Sequence, residues 1–165
     1  MKAVYVAEPH SLEIREMPMP KPGEGEALVR VRAGGICGSD MHIYHGTNPL
    51  AKYPRIIGHE FSGEIESLGP GVQGFSIGDR VAVDPVTSCG TCYACSIGRP
   101  NVCENLEVFG VHRHGGFAEY VALPVKNLHK IPSSWSFEKG SLVEPFTIAA
   151  NVLSRTECSG ADRLL

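Results

Sequence analysis

A chain of 165 residues suits one domain of ordinary size, and 42% hydrophobic residues support a packed core without a disulfide framework. A formal net charge of −3 argues against nucleic acid or an anionic membrane as partner, and no run of about 18 apolar residues offers a membrane span. The 19 glycines and 12 prolines are scattered, which fits many turns between short strands rather than low-complexity disorder.

The opening Met1-Lys2-Ala3-Val4-Tyr5-Val6 alternates like a strand and lacks the apolar core of a signal peptide, so a cytoplasmic location is expected. Alternating runs recur at 12–15, 27–32, 64–67, 80–83 and 117–123, separated by turn clusters at 18–25 and 69–74. That spacing predicts a mainly β, partly closed antiparallel structure with a few short helices. One turn cluster, Gly69-Pro70-Gly71-Val72-Gln73-Gly74, spells G-x-G-x-x-G, the outline of a dinucleotide-binding loop. Such a loop must run from a strand into a helix. Here a turn and another strand follow, so the glycines are read as turn chemistry. Helices come late. Ser136 is placed to cap one, with Glu138 in its first turn, and Glu144-Pro145 ends that run and starts a second over 146–153. Proline biases Glu144 toward an extended backbone. Leu164-Leu165 reads as the start of a buried strand, and Cys158 as an incidental thiol.

Cys89, Cys92, Cys95 and Cys103 form C-x2-C-x2-C-x7-C. Zinc takes four ligands in a tetrahedron, and short spacers let the backbone wrap the ion. No histidine or carboxylate stands among the four, so closed, structural coordination is expected in a lobe over about 86–105. The competing readings are an iron–sulfur cluster, disfavoured by the last spacing and the lack of a proline after Cys103, and a pair of disulfides.

A second donor set is mixed. Gly34-Gly35-Ile36-Cys37-Gly38-Ser39-Asp40-Met41-His42 puts a cysteine in a glycine-rich bend where Ser39 or Asp40 can cap a short helix. Gly58-His59-Glu60 and Glu144 add an imidazole and two carboxylates. One Cys, one His and one or two carboxylates give an asymmetric zinc site that leaves a position for water or substrate. Consecutive strand residues point to opposite faces, so His59 and Glu60 share one ion only if the chain bends there, which Gly58 permits. Each residue alone has a plain structural reading: a buried thiol, a polar pair, a helix cap.

The ordered motifs G-I-C-G-S-D-x-H, G-H-E, C-G-x-C-x-x-C-x7-C and E-P, with Gly78-Asp79-Arg80-Val81 and Gly115-Gly116-Phe117-Ala118-Glu119-Tyr120, resemble the catalytic domain of zinc-containing medium-chain alcohol and polyol dehydrogenases along the whole chain. The resemblance implies a GroES-like, partly closed β-barrel over residues 1–150. Residues 151–165 then form a helix end and the start of a nucleotide-binding domain, with the Rossmann domain itself absent from this chain. It also implies two zinc ions, one catalytic and one structural, with NAD or NADP bound by the missing domain. Carried over, Cys37 and His59 are catalytic zinc ligands, and Glu60 and Glu144 further ligands. Ser39 takes the substrate proton, His42 passes it to solvent, and Asp40 orients the ligand histidine.

Glu144, where alcohol dehydrogenases usually place cysteine, is similar to sorbitol, threonine and sugar-acid dehydrogenases. The runs Tyr53-Pro54-Arg55 and Ser96-Ile97-Gly98-Arg99-Pro100-Asn101 resemble bacterial starvation-sensing-type and galactonate-type oxidoreductases. The expected substrate is therefore a small polyol or sugar acid, with Tyr44 and Phe109 as pocket liners, and the full-length form is expected to be a homo-oligomer. Two other readings compete: a non-enzymatic zinc module for signalling or scaffolding, and a zinc-free quinone reductase relative. Zinc content separates the three, at two, one and none per chain.

Overall fold

The computed structural model describes residues 1–156 and Gly160; Cys158 and the strand expected at 164–165 lie outside the described residues. Strand β1 (Lys2–Glu8) forms a hairpin with β2 (Ser11–Glu16), Val4 opposite Ile14, and its other edge takes the two-residue β4 (Arg55–Ile56). A five-stranded antiparallel sheet runs in the order β10 (Leu128–Lys130), β6 (Arg80–Val83), β5 (Glu60–Leu68), β3 (Glu26–Gly35) and β9 (Tyr120–Pro124). A small ribbon pairs β7 (Val86–Thr87) with β8 (Glu107–Val108).

The run expected as one strand over 117–123 divides between two sheets. Val4 N–H donates to the Phe117 carbonyl and Glu119 N–H to that of Lys2, whereas 120–124 pair with β3. This change of partner turns the corner between the sheets and partly closes the barrel. The β3–β5 register shifts twice, between Leu28 and Val29 and between Val31 and Ala33, which bends the longest strand around the core. Alternating residues of the five strands fill that core: Ala27, Val29, Phe61, Ile65, Val81, Val121 and Leu123 are all buried, and Phe109 joins them. Phe109, expected to line a substrate pocket, is therefore a core side chain. It was misread because an aromatic beside glycine looks the same in sequence whether it faces a cleft or an interior.

Helix α1 (Gly38–Tyr44) follows β3 directly, and α2 (Tyr93–Ser96) sits in the cysteine-rich lobe. Ser136 caps α3 (Phe137–Ser141) as expected, its Oγ accepting from Lys139 N–H at 3.2 Å. Helix α4 (Val143–Arg155) starts three residues earlier than predicted, so Glu144 is helical rather than extended. Pro145 falls at the third helical position, within the first turn, where its missing N–H has no partner inside the helix. The G-x-G-x-x-G stretch is a turn from β5 toward β6, with Gly71 and Gly74 at positive φ and no helix behind it. Among the described residues no helix is long and apolar enough to cross a membrane.

Candidate metal centres

Register brings the mixed donor set together. In the β3–β5 ladder Gly35 stands opposite Glu60, so Cys37, two residues past the end of β3, meets His59, one residue before β5. Donor atoms of Cys37, His59 and Glu60 lie within 4.8 Å of one another. The bend that lets neighbours share an ion is Gly58, at φ +93°, a conformation that L side chains rarely adopt. Gly35 supplies the room: a Cβ there would come within 2.4 Å of Glu60 Oε2. Glu144 is not one of the three converging donors. It stands near enough for their charge to reach it, and its pKa is raised, first by burial, with Glu60 and Asp84 adding to the rise and His59 opposing it.

Asp40 fastens these pieces. Neither it nor Ser39 is the helix cap; Cys37 is, and Asp40 reaches back from the first turn, Oδ2 accepting from Cys37 N–H at 2.9 Å. Its other oxygen accepts from Gly58 N–H at 3.2 Å and stands 3.6 Å from His59 Nδ1. One carboxylate, 1% exposed, thus holds the two donor-bearing segments in a fixed relation. His59 Nδ1 is buried without a hydrogen-bond partner, facing Asp40, which leaves Nε2 as the nitrogen for a metal. Asp40 is the main cause that raises the His59 pKa to about 9, burial opposes it, and Cys37 adds to the rise. A site that holds a proton this firmly is a site short of positive charge, and a dication fits it. Replacing Asp40 by Asn keeps the shape but removes the charge. Zinc affinity at this site is expected to fall about 10- to 100-fold, with the four-cysteine site unchanged, as measured by competition with a chromogenic chelator.

Ser39 Oγ is 3.5 Å from His59 Nε2, at the edge of the donor cluster. His42 lies one turn further on the exposed side of α1, its Nδ1 2.9 Å from Thr47 Oγ1. Thr47 was not singled out from sequence: a threonine five residues past a histidine has no motif, and only the helix end folds it back. Tyr44, the other expected pocket liner, packs against His10 and His45 and lines an apolar hollow with Val4, Leu12, Ile36 and Met41; none of the three donors borders that hollow.

The sulfurs of Cys89, Cys92, Cys95 and Cys103 form the second cluster, within 4.8 Å of one another. Cys92 and Cys95 are separated by 3.5 Å, Cys89 and Cys103 by 3.5 Å, and Cys92 and Cys103 by 3.8 Å. Four thiolates at about 2.3 Å from a central zinc would have edges of about 3.8 Å, whereas a disulfide needs about 2.05 Å. Backbone N–H groups point at the sulfurs, Cys89 and Asn105 toward Cys103 and Cys92 toward Cys89. Donors from Thr91 and Cys92 hold the Cys89 thiol down at about 5. Burial and Cys92 push the Cys95 thiol up to about 11, so the four sulfurs ionise together only with a cation between them, and the donor set fits zinc.

The profile of the alcohol dehydrogenase GroES-like domain matches residues 23–133, more than half of the chain. The chain belongs to this family. Over its whole length this GroES-like chain is 53% identical to the starvation-sensing protein RspB of Escherichia coli K12, covering 49% of that protein. It is 38% identical to an L-galactonate-5-dehydrogenase of the same organism, again over all of this chain and 48% of the relative. A crystal structure of the alcohol dehydrogenase rspB from E. coli CFT073, complexed with NADH, superposes with a TM-score of 0.90 at 52% identity, over 98% of this chain and 47% of that one. The chain therefore spans about half the length of the relatives it matches.

Proposed function

We propose that this chain is the metal-binding half of a zinc-dependent NAD(P) oxidoreductase that oxidises a secondary hydroxyl of a polyol or sugar acid. The observation that carries the reading is the contrast between two donor sets: four sulfurs closed on themselves, and a Cys–His–Glu group beside a serine hydroxyl. A scaffold needs only the first. The 38% identity to an L-galactonate-5-dehydrogenase supports the substrate class.

Cys37, His59 and Glu60 would hold the catalytic zinc, with Glu144, which feels their charge, as a further candidate ligand, and the four lobe cysteines the structural one. When bound, the catalytic ion supplies Lewis acidity that lowers the pKa of a substrate hydroxyl toward neutrality. Asp40 keeps the His59 ring oriented, and Ser39 Oγ is placed to take the hydroxyl proton. His42, exposed and one turn beyond Ser39 on α1, hands that proton to water. The hydride needs an acceptor, and the NADH of the rspB complex indicates the kind. Residues 1–150 are assigned to this metal-binding role.

A chimaera tests the reading. This chain, joined to the remaining half of E. coli RspB, is expected to hold two zinc ions and reduce NAD or NADP with a polyol or sugar acid; Cys37→Ser abolishes turnover. One zinc per chain and no turnover would favour a scaffold, and no zinc a quinone reductase relative.

A further inference from the structure

The molecule holds a third group of metal donors, on the surface at the far end of α1. We propose that His10 and His45 form a chelate for a borderline first-row divalent cation, nickel, copper or zinc, separate from both clusters described above. The turn between β1 and β2 is folded against the end of α1: His10 N–H donates to the Tyr44 carbonyl at 2.7 Å. Pro9 packs so close to Gly46 that a Cβ there would meet its ring at 2.8 Å. Backbone contacts thus hold the two segments that carry the imidazoles side by side. Their centroids are 5.5 Å apart with planes inclined at 39°, and the Tyr44 ring touches both.

That separation is compatible with a chelate once a nitrogen of each ring turns toward a common ion. With metal–nitrogen bonds of 2.0–2.1 Å and ring atoms roughly 1.2 Å from the centroid, each ring centre lies about 3.2 Å from the ion. Two such arms spanning 5.5 Å subtend about 120°, near the tetrahedral and trigonal angles that these ions accept. Both rings are exposed, so water can fill the remaining positions.

The other histidines show why this pair is distinct. Of the other five, His42 Nδ1 is engaged by Thr47, His112 Nδ1 accepts from Val108 N–H, His114 Nδ1 accepts from Ile56 N–H, His59 belongs to the mixed cluster, and His129 is exposed on β10 with no second imidazole stacked beside it among the described residues. The rings of His10 and His45 make no hydrogen bond among the described residues, and their nitrogens are free to bind. His10 also has φ +66°, the one non-glycine residue in the left-handed region among those described. Histidine is, with asparagine and aspartate, one of the side chains enriched in that region, so the turn accepts an imidazole here. Neutral imidazoles select nickel, copper or zinc over magnesium and calcium, which demand oxygen.

The test titrates nickel chloride into the zinc-loaded chain by calorimetry, with released zinc followed by a chromogenic chelator. One equivalent of nickel is expected to bind without zinc release, and magnesium to give no heat. His10→Asn, which suits the left-handed backbone, and His45→Gln should each abolish uptake, while His42→Gln leaves it intact. In histidine ring spectra of the unmodified chain, the paramagnetic ion should broaden His10 and His45 first. Absence of binding, uptake matched by zinc release, or binding that survives in His10→Asn/His45→Gln would each overturn the proposal.

Discussion

Cys103→Ser is expected to cost the chain one zinc ion and to unfold the cysteine-rich lobe while leaving the β-core intact. Helix α2 and the 3₁₀ turn Pro100–Val102 pack on each other and have no buried residue. The lobe's side chains are absent from the clusters that make up the core, and Cys103 is its buried cysteine. With so little apolar surface to bury, the lobe would draw most of its stability from coordination of the proposed zinc, on the order of 10 kcal/mol for a site of four thiolates. Cys103 Sγ is also the acceptor for the Cys89 and Asn105 N–H groups, so the shorter, harder serine hydroxyl leaves both donors poorly met. The expected result is a zinc content of one per chain by elemental analysis, and rapid protease cleavage or hydrogen exchange confined to residues 86–105. Exchange should stay slow in β3 and β5, whose Val29, Phe61 and Ile65 pack independently of the lobe. If exchange rises evenly through both strands and lobe, the ion supports the whole domain and the lobe is no separate unit.

The two metal centres were not equally legible. In the lobe the spacing is local: three cysteines lie within seven residues and the fourth eight further on, so the chain itself enforces proximity. The mixed site is assembled by strand register. Nothing in the 22 residues between Cys37 and Glu60 states that Gly35 pairs with Glu60; that follows from the ladder and its two bulges. Identity of the donors could be read from their motifs, whereas the bond from Asp40 to Gly58 needed the folded chain. Glu144 shows the opposite failure. Proline after it predicted an extended residue, but the first turn of a helix tolerates proline equally well, and the packing of α4 decided between them. The divided strand at 117–124 failed for a related reason: alternation says that a segment is extended and says nothing about which neighbour it pairs with.

Gly58 is where sequence, fold and site depend on one atom's absence, and Gly58→Ala is expected to be the most damaging change outside the ligands. At φ +93° any Cβ strains the backbone, by roughly 1–2 kcal/mol. That Cβ would also lie 2.4–2.7 Å from the Phe117 ring, an overlap that forces the ring or the chain to move at a further cost of about 1–3 kcal/mol. The carbonyl of Gly58 accepts from Gly116 N–H, and Gly110 and Gly115 crowd it so closely that the strand cannot shift to make room. A total loss of roughly 2–5 kcal/mol follows, read as a lower denaturant midpoint with an unchanged slope. Function should suffer separately, because the Gly58 N–H is one of the two donors through which Asp40 aligns His59 with Cys37. Zinc should therefore be lost from the mixed site and kept in the lobe. Adding Phe117→Ala distinguishes the two causes: it removes the overlap but not the strained φ. Measured against Phe117→Ala alone, Gly58→Ala should then cost less stability than in the parent and still lose the zinc, whereas no cost at all in that background would show that the bend at Gly58 places no demand on its own residue.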